Sequence, residues 1–186
     1  MTGSMETVES VRKRYRPTRI TTLFVGESAP HSGDFFYCEN AMRSHMQQAV
    51  EQVFGKSSNF LETFKAYGWY LDDLVLEPVD HLPNPQRKAK CLVAQESLAD
   101  RITAYRPEAI VTLLKSIEPF VDAAAIMAGS NVPRFVVPFP GMGQQTRFLA
   151  QMAAILPKLP RLAPRTEPQM QDRWKRRSRF SMRVRH

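Results

Sequence analysis

The chain has 186 residues, 43% hydrophobic and 24% charged, with a net charge of +8. That suits one domain with a proper core and leaves little room for a second. No apolar run approaches a membrane span, and the first residues lack the apolar segment of a secretory signal. The two cysteines, Cys38 and Cys91, make neither a disulfide framework nor a metal-ligand set. Reduced thiols suit the cytosol, and the expected location is cytoplasmic (bacterial nucleoid-associated) or otherwise intracellular.

Residues 1–18 are polar and basic and are expected to be loose. Ile20–Glu27 is a short β-branched and apolar run ended by a glycine turn, as a strand buried on both faces reads. Glu39–Phe54 carries Met42, Met46, Ala49, Val50 and Val53 on one helical face. Asn59, with Glu62 three residues on, opens a short helix that Gly68 stops. Trp69–Val79 predicts a second strand with LVLEPV as its core, followed by the proline-rich loop His81–Arg87. Lys88–Tyr105 is helical up to Pro107, and Ala109–Lys115 is a third buried strand. Glu118–Ala128 is a helix closed by Gly129, Arg134–Phe139 a fourth strand, and Gln144–Leu156 the last helix.

This alternation predicts an α/β fold, a three-layer α/β/α sandwich on a central four-stranded parallel sheet. The chain divides into a basic N-terminal segment 1–18, a body 19–159 and a basic tail 160–186. Ligands in such sheets sit beyond the carboxyl ends of the strands, so the loops after the strands carry the chemistry.

The first of these loops, Gly26–Tyr37, reads GESAPHSGDFFY. Phe35 and Phe36 either turn inward to plug the core or make a stacking floor for a planar ligand such as a base. Glu27 at the strand end is a carboxylate able to orient water or stabilise a cation. Alternatively, it accepts backbone N–H bonds in its own turn. His31 reads as an exposed loop residue. In the second strand Asp72 and Asp73 are adjacent, so they face opposite sides. One of them can look into the ligand crevice while the other caps or meets water. The turn after the fourth strand, VVPFPGMGQQTRF, opens a helix whose N-terminus suits a phosphate, with Arg147 one turn in.

LFVGESAPHSGDFFY resembles the first motif of the uracil-DNA glycosylase superfamily: a strand, a Gly-acid turn with proline, then a segment with Phe or Tyr. YLDDLVLEPVDHLPNPQRK is similar to that family's second strand and following loop, and VVPFPGMGQQTRF falls where its second motif sits. The resemblance runs from Thr18 to Leu159. It implies a four-stranded parallel sheet between helices and a DNA-repair hydrolase that flips a base and cleaves its N-glycosidic bond. Glu27 would assist water or the sugar cation, within a turn that includes Gly26 and Ser28. Phe36 or Phe35 would stack on the base, and Asp73 would read its edge. Pro138–Met142 would press into the duplex. His31, Pro140, Gly141, Met142, Gly143, Gln144 and Arg147 would contact DNA. Backbone N–H groups of the 26–30 and 141–144 turns would support the leaving base.

Two departures stand out. The histidine that opens the family's second motif is absent, because no histidine lies between Val132 and Leu159. Asp73 stands where Asn is usual, and a carboxylate accepts hydrogen bonds without donating any. The cysteine count excludes the family's iron–sulfur subset, and neither a metal nor a cofactor is expected.

From Pro160 onward nine Lys/Arg oppose only Glu167 and Asp172. The tail thus carries +7 and leaves +1 for the rest of the chain. Arg173, Lys175, Arg176, Arg177 and Arg179 surround Trp174 near Phe180, a composition suited to gripping phosphate and stacking on bases. The expected partner is DNA, single- or double-stranded. The alternatives are a nucleic-acid binder that kept the fold and lost the chemistry, and a small-molecule hydrolase or nucleotide-binding protein on the same fold.

Overall fold

The structure is a computed structural model and describes residues 7–163. Four parallel strands form one sheet: β1 (Thr22–Gly26), β2 (Trp69–Asp73), β3 (Ala109–Thr112) and β4 (Arg134–Val136), in the order β2-β1-β3-β4. β1, β2 and β3 are buried almost throughout, so helices cover both faces, as the apolar runs predict. The helices are α1 (Val8–Arg14), α2 (Ala41–Phe54), α3 (Phe60–Ala66), α4 (Asn84–Val93), α5 (Gln95–Tyr105), α6 (Glu118–Met127) and α7 (Gln145–Ile155).

Handedness explains the layers. The chain leaves β1 toward β2 on one side and returns to β3 on the other. Right-handed crossovers then put α2 and α3 on one face and α5 and α6 on the opposite face. α2 packs on α7 and α5 on α6. Phe24 of β1 meets Phe64 of α3 with ring centroids 5.2 Å apart. The side chains of Asn40 and Asn59 cap α2 and α3 by accepting from the backbone N–H groups of Arg43 and Glu62. Gly68, which ends α3, has φ +77°, and a Cβ there would come within 2.9 Å of Thr21 Oγ1, so only glycine suits this turn.

Four expectations need correction. Residues 8–14 are not loose but form α1, whose Arg12 is 1% exposed. The second strand is WYLDD; LVLEPV follows it. β1 ends at Gly26, opposite Asp73, so the ladder runs out there. Only Leu74 and Val75 continue it, donating to the carbonyls of Gly26 and Glu27. The helix expected over Lys88–Tyr105 starts earlier, at Asn84, where Pro85 suits the first turn, and it breaks at Ala94 into α4 and α5. Finally, the tail does not part from the body at Leu159. The Pro160 carbonyl accepts from Thr21 Oγ1, Thr22 Oγ1 and Trp69 Nε1 at 2.8–2.9 Å. Arg161 lies 4.0 Å over the Phe54 ring.

β2 is an edge strand, and its open side is covered. The Tyr37 hydroxyl accepts from Leu71 N–H and donates to Leu71 C=O, and Tyr15 stacks on Tyr37 at 5.2 Å. This blocks pairing with another chain at that point.

Candidate functional site

β1 feeds β2 on one side and β3 on the other, and at such a switch point a crevice opens beyond the carboxyl ends. A cavity of about 700 Å³ lies there, of a size that takes a small molecule or a nucleotide. The loop after β1 forms one wall, Leu71 and Asp73 of β2 line it, and Leu113, Leu114, Ile117 and Phe120 close the side after β3. α4 adds Asn84, Arg87, Lys88 and Cys91, while Phe139 and Met142 stand at the loop after β4.

Gly26, Glu27, Ser28, Phe35, Phe36, Asp73 and Met142 all line this cavity, though they come from the end of β1 and its loop, the end of β2 and the loop after β4. Phe35 and Phe36 are 4% and 3% exposed and belong to the core, as the first of their two readings expects. Phe36 packs on Phe60 and Phe64 and still contributes to the cavity wall. Met142 is fully exposed and sits in the left-handed region with φ 52°, a conformation few non-glycine residues adopt. It projects from the loop between Gly141 and Gly143, with Phe139 half-exposed beside it.

The remaining candidates lie elsewhere. His31 is exposed, its ring 5.2 Å from that of His81, and its N–H donates to Asp80. Pro140 is buried, and Gly141, Gly143, Gln144 and Arg147 do not reach the cavity. Gly143 and Gln144 flank the start of α7, and Arg147 is exposed on its first turn. Val137 and Pro138 are buried. Arg173, Lys175, Arg176, Arg177 and Arg179 lie outside the described residues. The tail that carries them departs from Pro160, at the amino ends of β1 and β2, which is the pole opposite the cavity.

The acidic pair behaves differently from a solvated one, because both carboxylates are buried. Arg12 donates to Asp72 Oδ1 at 2.8 Å and to Asp73 Oδ2 at 2.6 Å. Arg101 donates to Asp72 Oδ2 at 2.5 Å and to the Asp73 carbonyl at 2.8 Å. Asp72 therefore faces α5, and Asp73 faces the cavity, as alternation demands. Burial pushes the Asp73 carboxyl up to about 6; Arg12 opposes the rise and Asp72 adds to it. Burial lowers the Arg12 pKa, but Asp73 and Asp72 outweigh it and raise the net value, so the guanidinium stays charged.

Glu27 pairs with Arg87 across the cavity wall, and this hydrogen bond raises the Arg87 pKa. Burial first, and then Glu27, push the Cys91 thiol up, which makes it a poor nucleophile. Among the described residues no cluster of His, Cys, Asp and Glu could hold a metal ion, and no helix is long and apolar enough to cross a membrane.

Sequence reasoning missed Arg12 and Arg87. Val8 and Val11 in VESVRKR mark an inward helical face that also takes Arg12, but an arginine reads as exposed in such a charged run. Arg87 had a weak signal, since it closes the proline-rich loop after the second strand. No protein-family profile and no curated protein matches this chain.

One substitution tests the geometry. A Cβ on Gly26 would lie 2.5 Å from Asp73 Oδ1, so Gly26→Ala must displace the carboxylate that Arg12 holds. We expect a loss of about 1–3 kcal/mol, as for other overpacked sites, read by denaturant melts. An unchanged midpoint would mean that Asp73 does not occupy this position.

Proposed function

We propose that the chain is a divergent, uracil-DNA glycosylase-like protein that accepts a flipped, uracil-like base into the cavity and hydrolyses its N-glycosidic bond. What carries this reading is the convergence of Glu27, Phe35, Phe36 and Asp73 on one cavity, since a base needs an aromatic wall, a polar edge reader and a carboxylate near the sugar. The four parallel strands between helix pairs agree with the fold that the resemblance implies. Met142 suits a wedge that fills the gap left by a flipped nucleotide.

In this mechanism the nucleotide leaves the stack at a cost of a few kcal/mol. The base slides along Phe35 and Phe36 with its edge toward Asp73. The bond from the sugar C1′ to the base nitrogen breaks, and its electron pair leaves with the base. Glu27 stabilises the positive sugar and takes a proton from the water that attacks C1′. The partner is DNA, and the basic tail would hold it through phosphates, with affinity that falls steeply with salt.

A second reading has its own support. Glu27 is engaged by Arg87 and Asp73 by Arg12, an arrangement equally suited to a binder without chemistry. Base release decides between them. Single- and double-stranded oligonucleotides carrying uracil, hypoxanthine, xanthine or an alkylated base are incubated with the full chain. Release of one base establishes the glycosylase. Salt-sensitive binding with no release from any substrate leaves only the binder.

A further inference from the structure

We infer that Arg87 is a catalytic residue that donates a hydrogen bond to the carbonyl oxygen of the departing base. This inference rests on the glycosylase reading above. Arg87 enters the cavity from α4 and is partly buried. One of its nitrogens, Nη2, donates to Glu27 Oε2. Its Nε is buried and has no hydrogen-bond partner. Burial closes Nε to a ligand, so the N–H groups open to an acceptor are those of the terminal nitrogens, on a side chain that lines the cavity and is 29% exposed.

The chemistry needs such a donor. As the bond from C1′ to the base nitrogen breaks, the electron pair passes to that nitrogen and spreads onto the adjacent carbonyl oxygen. Water supplies the new C1′–O bond, one of its protons goes to Glu27, and the base picks up a proton on release. In a 2-oxo pyrimidine the carbonyl flanks the glycosidic nitrogen. A donor hydrogen-bonded to Glu27, the carboxylate assigned to the sugar side, is therefore beside that oxygen. Purines have no carbonyl next to their glycosidic nitrogen, so Arg87 favours pyrimidines.

Other donors on the cavity wall fit less well. Lys88, Asn84 and Ser116 are exposed, and the Asn40 side chain already caps α2 and donates to the Asp34 carbonyl. Glu27 holds the guanidinium in place, so Arg87 is preorganised where charge develops.

The test compares leaving groups. Release of uracil and of the more acidic 5-fluorouracil from single-stranded oligonucleotides is measured for wild type, Arg87→Gln and Arg87→Lys, with melting curves for each. Arg87→Gln should slow uracil release by about 10²–10³-fold, as loss of one oxyanion donor does. 5-Fluorouracil should be slowed far less, because its anion needs less support. Arg87→Lys should fall between. Equal slowing of both bases by a folded Arg87→Gln chain, or no slowing, would overturn the assignment and leave the glycosylase reading standing. If wild type releases neither base, nor any of the bases named above, binding of free uracil and 5-fluorouracil is measured across the pH range where 5-fluorouracil ionises. A preference of wild type for the anion that vanishes in both variants would keep Arg87 as the receptor of the base oxygen while the glycosylase reading fails. A preference unchanged in the variants, or absent from wild type, would remove both.

Discussion

Replacing Arg12 with alanine is expected to cost about 3–5 kcal/mol of stability, as removal of one partner from a buried ion pair does. Arg12 is fully buried and bridges Asp72 and Asp73 through separate nitrogens. Without it Asp72 keeps Arg101, but the Asp73 carboxylate loses its hydrogen-bonded cation and keeps only the weaker charge effect of Arg101 against that of Asp72. Denaturant melts of the full chain would show the drop. Lys13→Ala, which touches only an exposed pair with Glu9 at 3.8 Å, should change stability by less than about 0.5 kcal/mol. Equal effects from the two substitutions would mean that α1 does not dock through Arg12.

The same network makes stability depend on pH. The Asp73 carboxyl is raised from 3.8 to about 6, above its unfolded value. Its stabilising contribution is therefore fully present below the unfolded pKa and is lost as pH rises through the folded one. Wild type should thus lose stability relative to Asp73→Asn between roughly pH 4 and pH 6, and the difference should then level off. In Arg12→Ala the main cation that opposes the rise is gone, so the window extends to higher pH. A difference between wild type and Asp73→Asn that stays flat across this range would contradict the buried, coupled carboxylate.

On the proposed glycosylase reading, Glu27→Gln should lower base release by about 10²–10⁴-fold, the usual range for a positioned general base. Glutamine keeps the shape and one acceptor for Arg87, but it loses the charge that stabilises a positive sugar and the basicity that takes a proton from water. Affinity for the oligonucleotide should change little, since phosphate contacts dominate it. Glu77→Gln serves as comparison, because Glu77 is exposed and pairs only with Lys90 at 2.6 Å. Retention of more than about a tenth of wild-type release by Glu27→Gln would exclude the general-base role.

The sequence by itself determined the alternation of strands and helices and the loops that bear on the cavity. Parallel strands buried on both faces read as continuous apolar runs, so LFV and AIV announce β1 and β3 without further context. The alternation rule placed one acid of the Asp72–Asp73 pair toward a crevice, and Glu27, Phe35 and Phe36 stand out because the loop after a strand seldom carries so many aromatics.

Tertiary structure decided the rest. The end of β2 is set by the length of β1 beside it, so WYLDD is strand and LVLEPV is not. The helix over 84–105 breaks at Ala94, where no glycine or proline warns of it. Arg12 sits in a short, charged helix whose apolar stripe is only Val8 and Val11, with Tyr15 just beyond it. It is interior only because two carboxylates some sixty residues away need a cation, and burying a charge is tolerated only when it is paired. Arg87 meets Glu27 by the same route, sixty residues along the chain. Local propensity shapes each segment, but pairing of buried charges belongs to the folded arrangement and leaves no periodic mark in the sequence.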